Sequence, residues 1–198
     1  MQRKERLSHG KVSAMSPDEF EEWVFARPDT DLNHYELLDG EIVMSPPAGW
    51  PHGKVGGSLQ FLLQTFVRAK ALGTVFDSSQ GFVLPSGDVV EPDHSFVSNE
   101  RWAAAPDPVD GKFLRIVPDL IVEVLAKSTA GRDRTKKLRA YEKNGVREYW
   151  IVDNKKRAIT VYVLDEGAYG AGHVFREGEG FESHAITGMG IEVGEVFA

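Results

Sequence analysis

Val117-Pro118-Asp119-Leu120-Ile121-Val122-Glu123-Val124-Leu125 is the stretch whose reading decides the fold. Apart from its two carboxylates it is almost wholly apolar and β-branched. That composition suits a strand covered on both faces, the usual position of a central strand in an α/β sheet. A basic helical segment follows, Lys127 to Asn144, closed by Gly145. After it comes a second apolar run, Glu148-Tyr149-Trp150-Ile151-Val152-Asp153. Strand, helix and strand in that order make a β-α-β unit, so the two strands are expected to be parallel neighbours.

Glu123 sits where such a strand would ordinarily carry Val or Ile. A second segment, Val89-Val90-Glu91-Pro92-Asp93-His94-Ser95-Phe96-Val97, has the same anomaly at Asp93. A buried carboxylate is costly unless it is paired, hydrogen-bonded or bound to a metal. Two of them on neighbouring strands point to a hard divalent cation, which prefers oxygen ligands, and hence to metal-assisted hydrolysis. The carbonyl of Val124, beside Glu123, is a further candidate ligand.

Outward from this centre, Ser16-Pro17-Asp18-Glu19 reads as a capping box opening a short helix that stops near Pro28. Asp39-Gly40, between Tyr35–Leu38 and Glu41–Met44, is a hairpin signal. From His52 to Leu72 the apolar residues Val55, Leu59, Leu62, Leu63, Phe66 and Val67 recur at helical spacing, with Gly73 expected as the stop. Strands are expected at 74–77, 80–84 and 89–97, a loop at 98–113, an outer strand at 159–164, and short strands near 172–176 and 181–186. The fold class is α/β (α+β): a mixed central sheet flanked by helices, with an N-terminal β-hairpin and extra C-terminal strands.

The 198 residues suit a single domain, taken as 15–198. Residues 1–14 are basic with no apolar run behind them. They read as a disordered tail rather than a secretory signal. The absence of cysteine excludes disulfides, zinc-thiolate and iron–sulfur sites and thiol nucleophiles, and is compatible with a cytoplasmic location. No apolar run has the length of a membrane span. The net charge of −7 is unevenly spread: residues 127–147 carry +6 and the rest −13. A basic element on an acidic body can contact phosphates locally, although a solvated helix face explains the same charges.

The order YELLDGEIV, SPP, a histidine-led helix, EPDHSFV, PDLIVEVL and DRTKKLRAYEKNGVREYWIVD resembles the Uma-two family of restriction endonucleases, within the PD-(D/E)XK nuclease superfamily. The resemblance runs over about residues 14–197. It implies a restriction-endonuclease-like core and a magnesium-dependent endonuclease, with Mn2+ as substitute for Mg2+. The implied substrate is nucleic acid, expected to be DNA, and the implied assembly a homodimer whose two sites reach two strands. Carried over by position, Asp93 and Glu123 are the metal carboxylates. The superfamily's lysine falls at Leu125, a departure from the pattern. Two lysines could replace it. Lys127 shares the strand face of Glu123 but lies about 13 Å further along an extended chain. Lys137, in the KLRAY stretch, is preferred, with Asp133 one turn before it and Tyr141 one turn after. Glu36 resembles the family's early glutamate, a further carboxylate of the site.

His52 is a candidate for orienting substrate or a carboxylate, and Gln80, placed on a strand, for lining the cleft. Asp119 is better read as capping nearby amides. Glu91 and His94 flank Asp93 with opposite facing and are not expected as ligands, Glu41 belongs to the exposed side of the hairpin, and Phe96 and Trp150 to the core. The rival reading is a catalytically degenerate nuclease fold serving as a nucleic-acid or protein binding module, which the displaced lysine favours. The two part on whether Lys137 reaches Asp93 and Glu123.

Overall fold

The computed structural model describes residues 15–126 and 130–198. The expected tail at 1–14 and the candidate Lys127 lie outside the described residues. The first half of the chain contains α1 (Pro17–Phe25), β1 (His34–Leu38), β2 (Glu41–Ser45), α2 (His52–Lys70), β3 (Gly73–Asp77), β4 (Phe82–Val83), β5 (Val89–Val90), β6 (His94–Ser98) and α3 (Asn99–Ala104). Then come β7 (Leu120–Val124), α4 (Ala130–Arg132), a π-helical segment (Asp133–Lys137), α5 (Leu138–Lys143), β8 (Glu148–Asp153) and β9 (Ala158–Asp165). The end of the chain adds β10 (Ala168–Tyr169), β11 (His173–Arg176), β12 (Gly180–Glu182), β13 (Gly190–Glu192) and α6 (Val193–Phe197).

The apolar stretch around Glu123 is β7, buried at all five positions, and it is central. The main sheet runs β10-β9-β8-β7-β6-β3, with β11 also paired to β9. β7 and β8 are parallel, with Leu120 opposite Glu148 and Val124 opposite Val152, as the crossover between them requires. β6 runs antiparallel to β7, pairing His94 with Val122 and Phe96 with Leu120.

Alternation along β7 divides the core. Leu120, Val122 and Val124 face Val55, Leu59, Leu63 and Val67 of α2, with Val193 and Val196 of α6 in the same cluster. Ile121 faces the other way, packing with Ala140 and Tyr141 of α5 and with Leu38, Phe82 and Val90 of a second sheet ordered β2-β1-β5-β4. Glu123 shares the face of Ile121, and this places its carboxylate under the helix that follows the strand. A smaller cluster seats Phe20 of α1 on Leu37, Val83 and Val89.

Local chemistry explains the entrances and turns. Ser16 and Glu19 form the reciprocal capping box of α1. Asp39 and Gly40 both take positive φ, 52° and 77°, as a two-residue hairpin turn with the twist of its strands requires. Elsewhere the structure departs from expectation. The strand foreseen at 89–97 is two strands in two sheets, because Pro92 has no N–H to offer a ladder. Gly73 does not close α2. Ala71 does, in the left-handed conformation, and Gly73 opens β3, where a Cβ would lie 2.1 Å from the carbonyl oxygen of Val97. The strand expected at 80–84 shrinks to Phe82–Val83, so Gln80 lies in the turn region before it. The loop at 98–113 contains α3, whose Ser98 cap is present but which buries no residue and so carries no amphipathic signature. The strand expected at 181–186 ends at Glu182.

Candidate active site

The end of β7, the start of β6, the N-terminus of α2 and the π-helical segment meet at a cavity of about 970 Å3. Its lining includes Glu36, Asp93, Glu123, Val124, Asp133 and Lys137. Continuing the antiparallel register of β6 and β7 by one pair puts Asp93 opposite Glu123. The backbone fixes the same relation directly: the N–H of Val124 donates to Oδ2 of Asp93 at 2.7 Å. The N–H and C=O of one strand residue leave by the same edge, so the carbonyl of Val124 is directed to the Asp93 side.

His52, at the first position of α2, meets Asp93 through Nε2 at 3.1 Å from Oδ2. A carboxylate only accepts, so the proton of this contact is on the imidazole. Burial opposes ionisation of Asp93. The hydrogen bond and charge of His52 and the N–H of Val124 outweigh it, and the Asp93 pKa lies below its ordinary value. The bond to Asp93 likewise raises the pKa of His52, against the opposing effect of burial.

Glu123 is 5% exposed. Its Oε1 accepts from Nζ of Lys137 at 2.7 Å and from the hydroxyl of Tyr141 at 2.8 Å. Lys137 and Tyr141 stand one turn apart and reach the same oxygen. Lys137 closes the π-helical segment and is itself buried; π-bulges of this kind are frequent at functional sites. Its Nζ also lies 2.9 Å from Oε1 of Glu36. That oxygen accepts in addition from the N–H of Glu91 at 3.0 Å, which ties the second sheet to the site. Burial lowers the pKa of Lys137, but Glu123, Glu36 and Asp133 raise it more, so the ammonium stays charged. Burial, with the charges of Asp93, Asp133 and Glu36, pushes the carboxyl of Glu123 well up, against the pull of Lys137. Tyr141 is held protonated by burial and by the neighbouring Glu123.

Among the described residues no three His, Cys, Asp or Glu side chains are grouped as a metal site. The donor set here is two carboxylates and a strand carbonyl. It fits a hard divalent cation on three counts. Every donor is oxygen. Among the described residues, the bonds to Asp93 fall on Oδ2 and those to Glu123 on Oε1, so Oδ1 and Oε2 lie outside them. Five carboxyl groups, those of Glu36, Glu91, Asp93, Glu123 and Asp133, line the cavity, and their mutual repulsion is what a cation relieves.

The other candidates divide. Gln80 is not among the residues lining the cavity, and its Nε2 donates to the adjacent carbonyl of Gly81 at 2.8 Å. The reason is local: outside a strand it is not held facing the cleft. Asp119 is fully buried and accepts from the N–H of Ser98 at 2.7 Å, with Arg101 and Arg147 at 3.0 and 2.9 Å. It secures the entrance of β7. Glu91 also lines the cavity, paired with His34 at 3.0 Å. His94 faces α2 instead, with Nδ1 2.9 Å from Oε1 of Gln60. Glu41 is exposed and paired with Lys136 at 2.9 Å, while Phe96 and Trp150 are core residues. Trp50, Arg132, Asn154 and Lys155 line the cavity and were not expected there. Arg132 lay in the basic run and Trp50 in a Pro/Gly loop just before His52. Neither signal separates a cavity wall from an ordinary surface.

The model of the Uma2 family, described as "Putative restriction endonuclease", matches residues 17–194. No curated protein matches the chain significantly. A solved structure from Anabaena variabilis ATCC 29413, described as a "putative nuclease belonging to DUF820", is similar with a TM-score of 0.73 at 17% identity. The similarity covers 92% of this chain and 97% of that one. At that identity the likeness establishes a shared nuclease-like fold.

Proposed function

The chain belongs to the Uma2 family, and on that premise we propose that it is a divalent-metal-dependent endonuclease hydrolysing phosphodiester bonds of nucleic acid, DNA in particular. The observation that carries this reading is the bond from the Val124 N–H to Asp93, which sets the carboxylate of one strand against the carboxylate-bearing end of the next. Asp93, Glu123 and the Val124 carbonyl would hold Mg2+, with Mn2+ as substitute. Bound there, the metal would lower the pKa of a coordinated water and offset charge on the scissile phosphate. His52 keeps Asp93 ionised and oriented. Tyr141 fixes Glu123. Lys137 supplies the charge that the superfamily pattern puts at Leu125, and in its place among Glu36, Glu123 and Asp133 it would orient the attacking water. Leu125 pairs its N–H with the carbonyl of Val152 at 2.9 Å, a strand role. The approach of Lys137 to Glu123 favours this reading over a degenerate binding scaffold.

The nuclease-like unit is read as residues 15–198, acting in the cytoplasm as a homodimer. Among the described residues no helix is long and apolar enough to cross a membrane. Support for the dimer comes from β2, which ends its sheet and leaves Ile42 and Met44 half exposed on an edge that a second copy could cover.

Calorimetry with magnesium or manganese on wild type and Asp93→Ala, with plasmid cleavage on the same samples, tests the proposal. Metal binding and cleavage should both be present in wild type and both be lost in the variant. An Asp93→Ala protein that cleaves at the wild-type rate would overturn the assignment.

A further inference from the structure

The loop from Pro46 to Pro51 forms one wall of the cavity, and Trp50 on it is 83% exposed. Indole is among the costliest side chains to leave in water. Here it lines the same cavity as the candidate metal carboxylates, on a loop stiffened by Pro46, Pro47 and Pro51. An aromatic held ready in this way loses little entropy on taking a ligand. Arg132, on another wall, donates from Nη2 to the hydroxyl of Ser45, at the root of the same loop. Its Nε is buried and has no hydrogen-bond partner among the described residues. Trp50 and Arg132 therefore bring an indole and a guanidinium to the lining of one cavity, next to groups that are themselves almost inaccessible: Glu123 is 5% and Lys137 3% exposed.

We propose that Trp50 stacks on an unpaired base of the substrate while Arg132 holds an adjacent phosphate, so that the site takes single-stranded or locally unpaired nucleic acid in preference to intact duplex. This rests on the nuclease reading above. An indole accepts any base face, and stacking needs a base that has left its neighbours. A guanidinium fork matches phosphate oxygens. Carboxylates recessed behind the loop are reached by a strand that can bend into the cavity, which a paired, stacked strand does poorly.

The test is binding of a labelled oligonucleotide of about 12 nucleotides, single-stranded and as its duplex. It is run in EDTA and again in magnesium, with cleavage followed by gel on the same samples. Wild type should bind the single strand about 10-fold more tightly than the duplex, with quenching of tryptophan fluorescence. Trp50→Ala should lose about 10-fold in single-strand affinity, whereas Trp50→Phe keeps it within about 3-fold and loses the quenching. Arg132→Gln should reduce the salt dependence of binding by about one phosphate contact. The exposure of Trp50 makes its replacement harmless to folding. Unchanged affinity in Trp50→Ala, or equal binding of duplex and single strand, overturns this proposal and leaves the nuclease reading standing. A wild type that neither binds nor cleaves any nucleic acid overturns both.

Discussion

Nζ of Lys137 lies 2.7 Å from Oε1 of Glu123, and both side chains are almost wholly buried. The pair joins the central strand to the helical segment that follows it, and Glu36 closes the arrangement from the second sheet at 2.9 Å. One ammonium thus answers two buried carboxylates from separate parts of the fold. The geometry couples stability to the proposed chemistry, since the group that neutralises the site at rest is the one that would act in it.

Removing that ammonium exposes the coupling. Lys137→Met preserves much of the volume and deletes the charge. It leaves Glu123 and Glu36 buried without their cation, and breaking a buried ion pair from one side costs about 3–5 kcal/mol. Urea unfolding of Lys137→Met should show a loss of that size, and cleavage should disappear. A combined Lys137→Met, Glu123→Gln protein should recover part of the lost stability, because the stranded charge is gone, and none of the activity. Equal stability of Lys137→Met and wild type would mean that the two carboxylates do not depend on this ammonium.

Tyr141→Phe separates the hydroxyl from the ring. The ring packs with Tyr149 at a centroid distance of 4.9 Å and stays in place, while the bond to Glu123 at 2.8 Å is lost. A single hydrogen bond to a charged acceptor contributes about 1.5–3 kcal/mol, and Lys137 still holds the same oxygen, so the lower end of that range is expected by urea titration. Because Tyr141 fixes Glu123 without being assigned a part in the chemistry, cleavage should be slowed and not abolished. Complete loss of cleavage with an unchanged fold would give the hydroxyl a direct part.

Asp119 tests the boundary between scaffold and site. Its carboxylate meets the Ser98 N–H, Arg101 and Arg147 at the opposite end of β7 from Glu123. Asp119→Asn should destabilise the protein by about 2 kcal/mol, below the cost of a stranded buried charge, because both arginines are partly exposed and can be resolvated. Magnesium affinity measured by calorimetry should be unchanged under native conditions. A large drop would place Asp119 in the metal site.

What could be read from the chain alone was what local rules determine. The Asp39-Gly40 turn, the Ser16–Glu19 box and the parallel pairing of β7 with β8 depend on few residues each. The placement of Asp133, Lys137 and Tyr141 on one helical face follows from spacing, and their delivery to Glu123 from the handedness of the crossover. Other features arise from contacts between distant segments. Arg132 reaches Ser45 across the fold, and neither position carries a pattern that announces the other. Asp93 lies at a break between two sheets, which Pro92 alone signals within the run Val89 to Val97, and nothing local says that the two halves join different sheets. Gln80 lies between Ser79 and Gly81, where the chain turns; the apolar residues that suggest a strand begin only at Phe82.

His94 gives the protein a pH dependence with a definite sign. Burial against α2 pulls its pKa from 6.5 down to about 4, the neighbouring Asp93 and Asp77 only partly opposing the shift. The neutral ring donates from Nδ1 to the Gln60 carbonyl oxygen at 2.9 Å, and protonation would force a charge into that packing. Between pH 6.5 and 4 the unfolded chain therefore binds more protons at this residue than the folded one. Stability should fall as pH falls through this window, by about 3 kcal/mol in all. His34 and His52 act in the opposite sense, because Glu91 and Asp93 raise their pKa values. The measurement is thus a comparison with His94→Gln: urea midpoints from pH 7.5 to 4 should decline less steeply in the variant than in wild type. Parallel curves would show that His94 titrates alike in the folded and unfolded chains, and the assigned burial effect would be wrong.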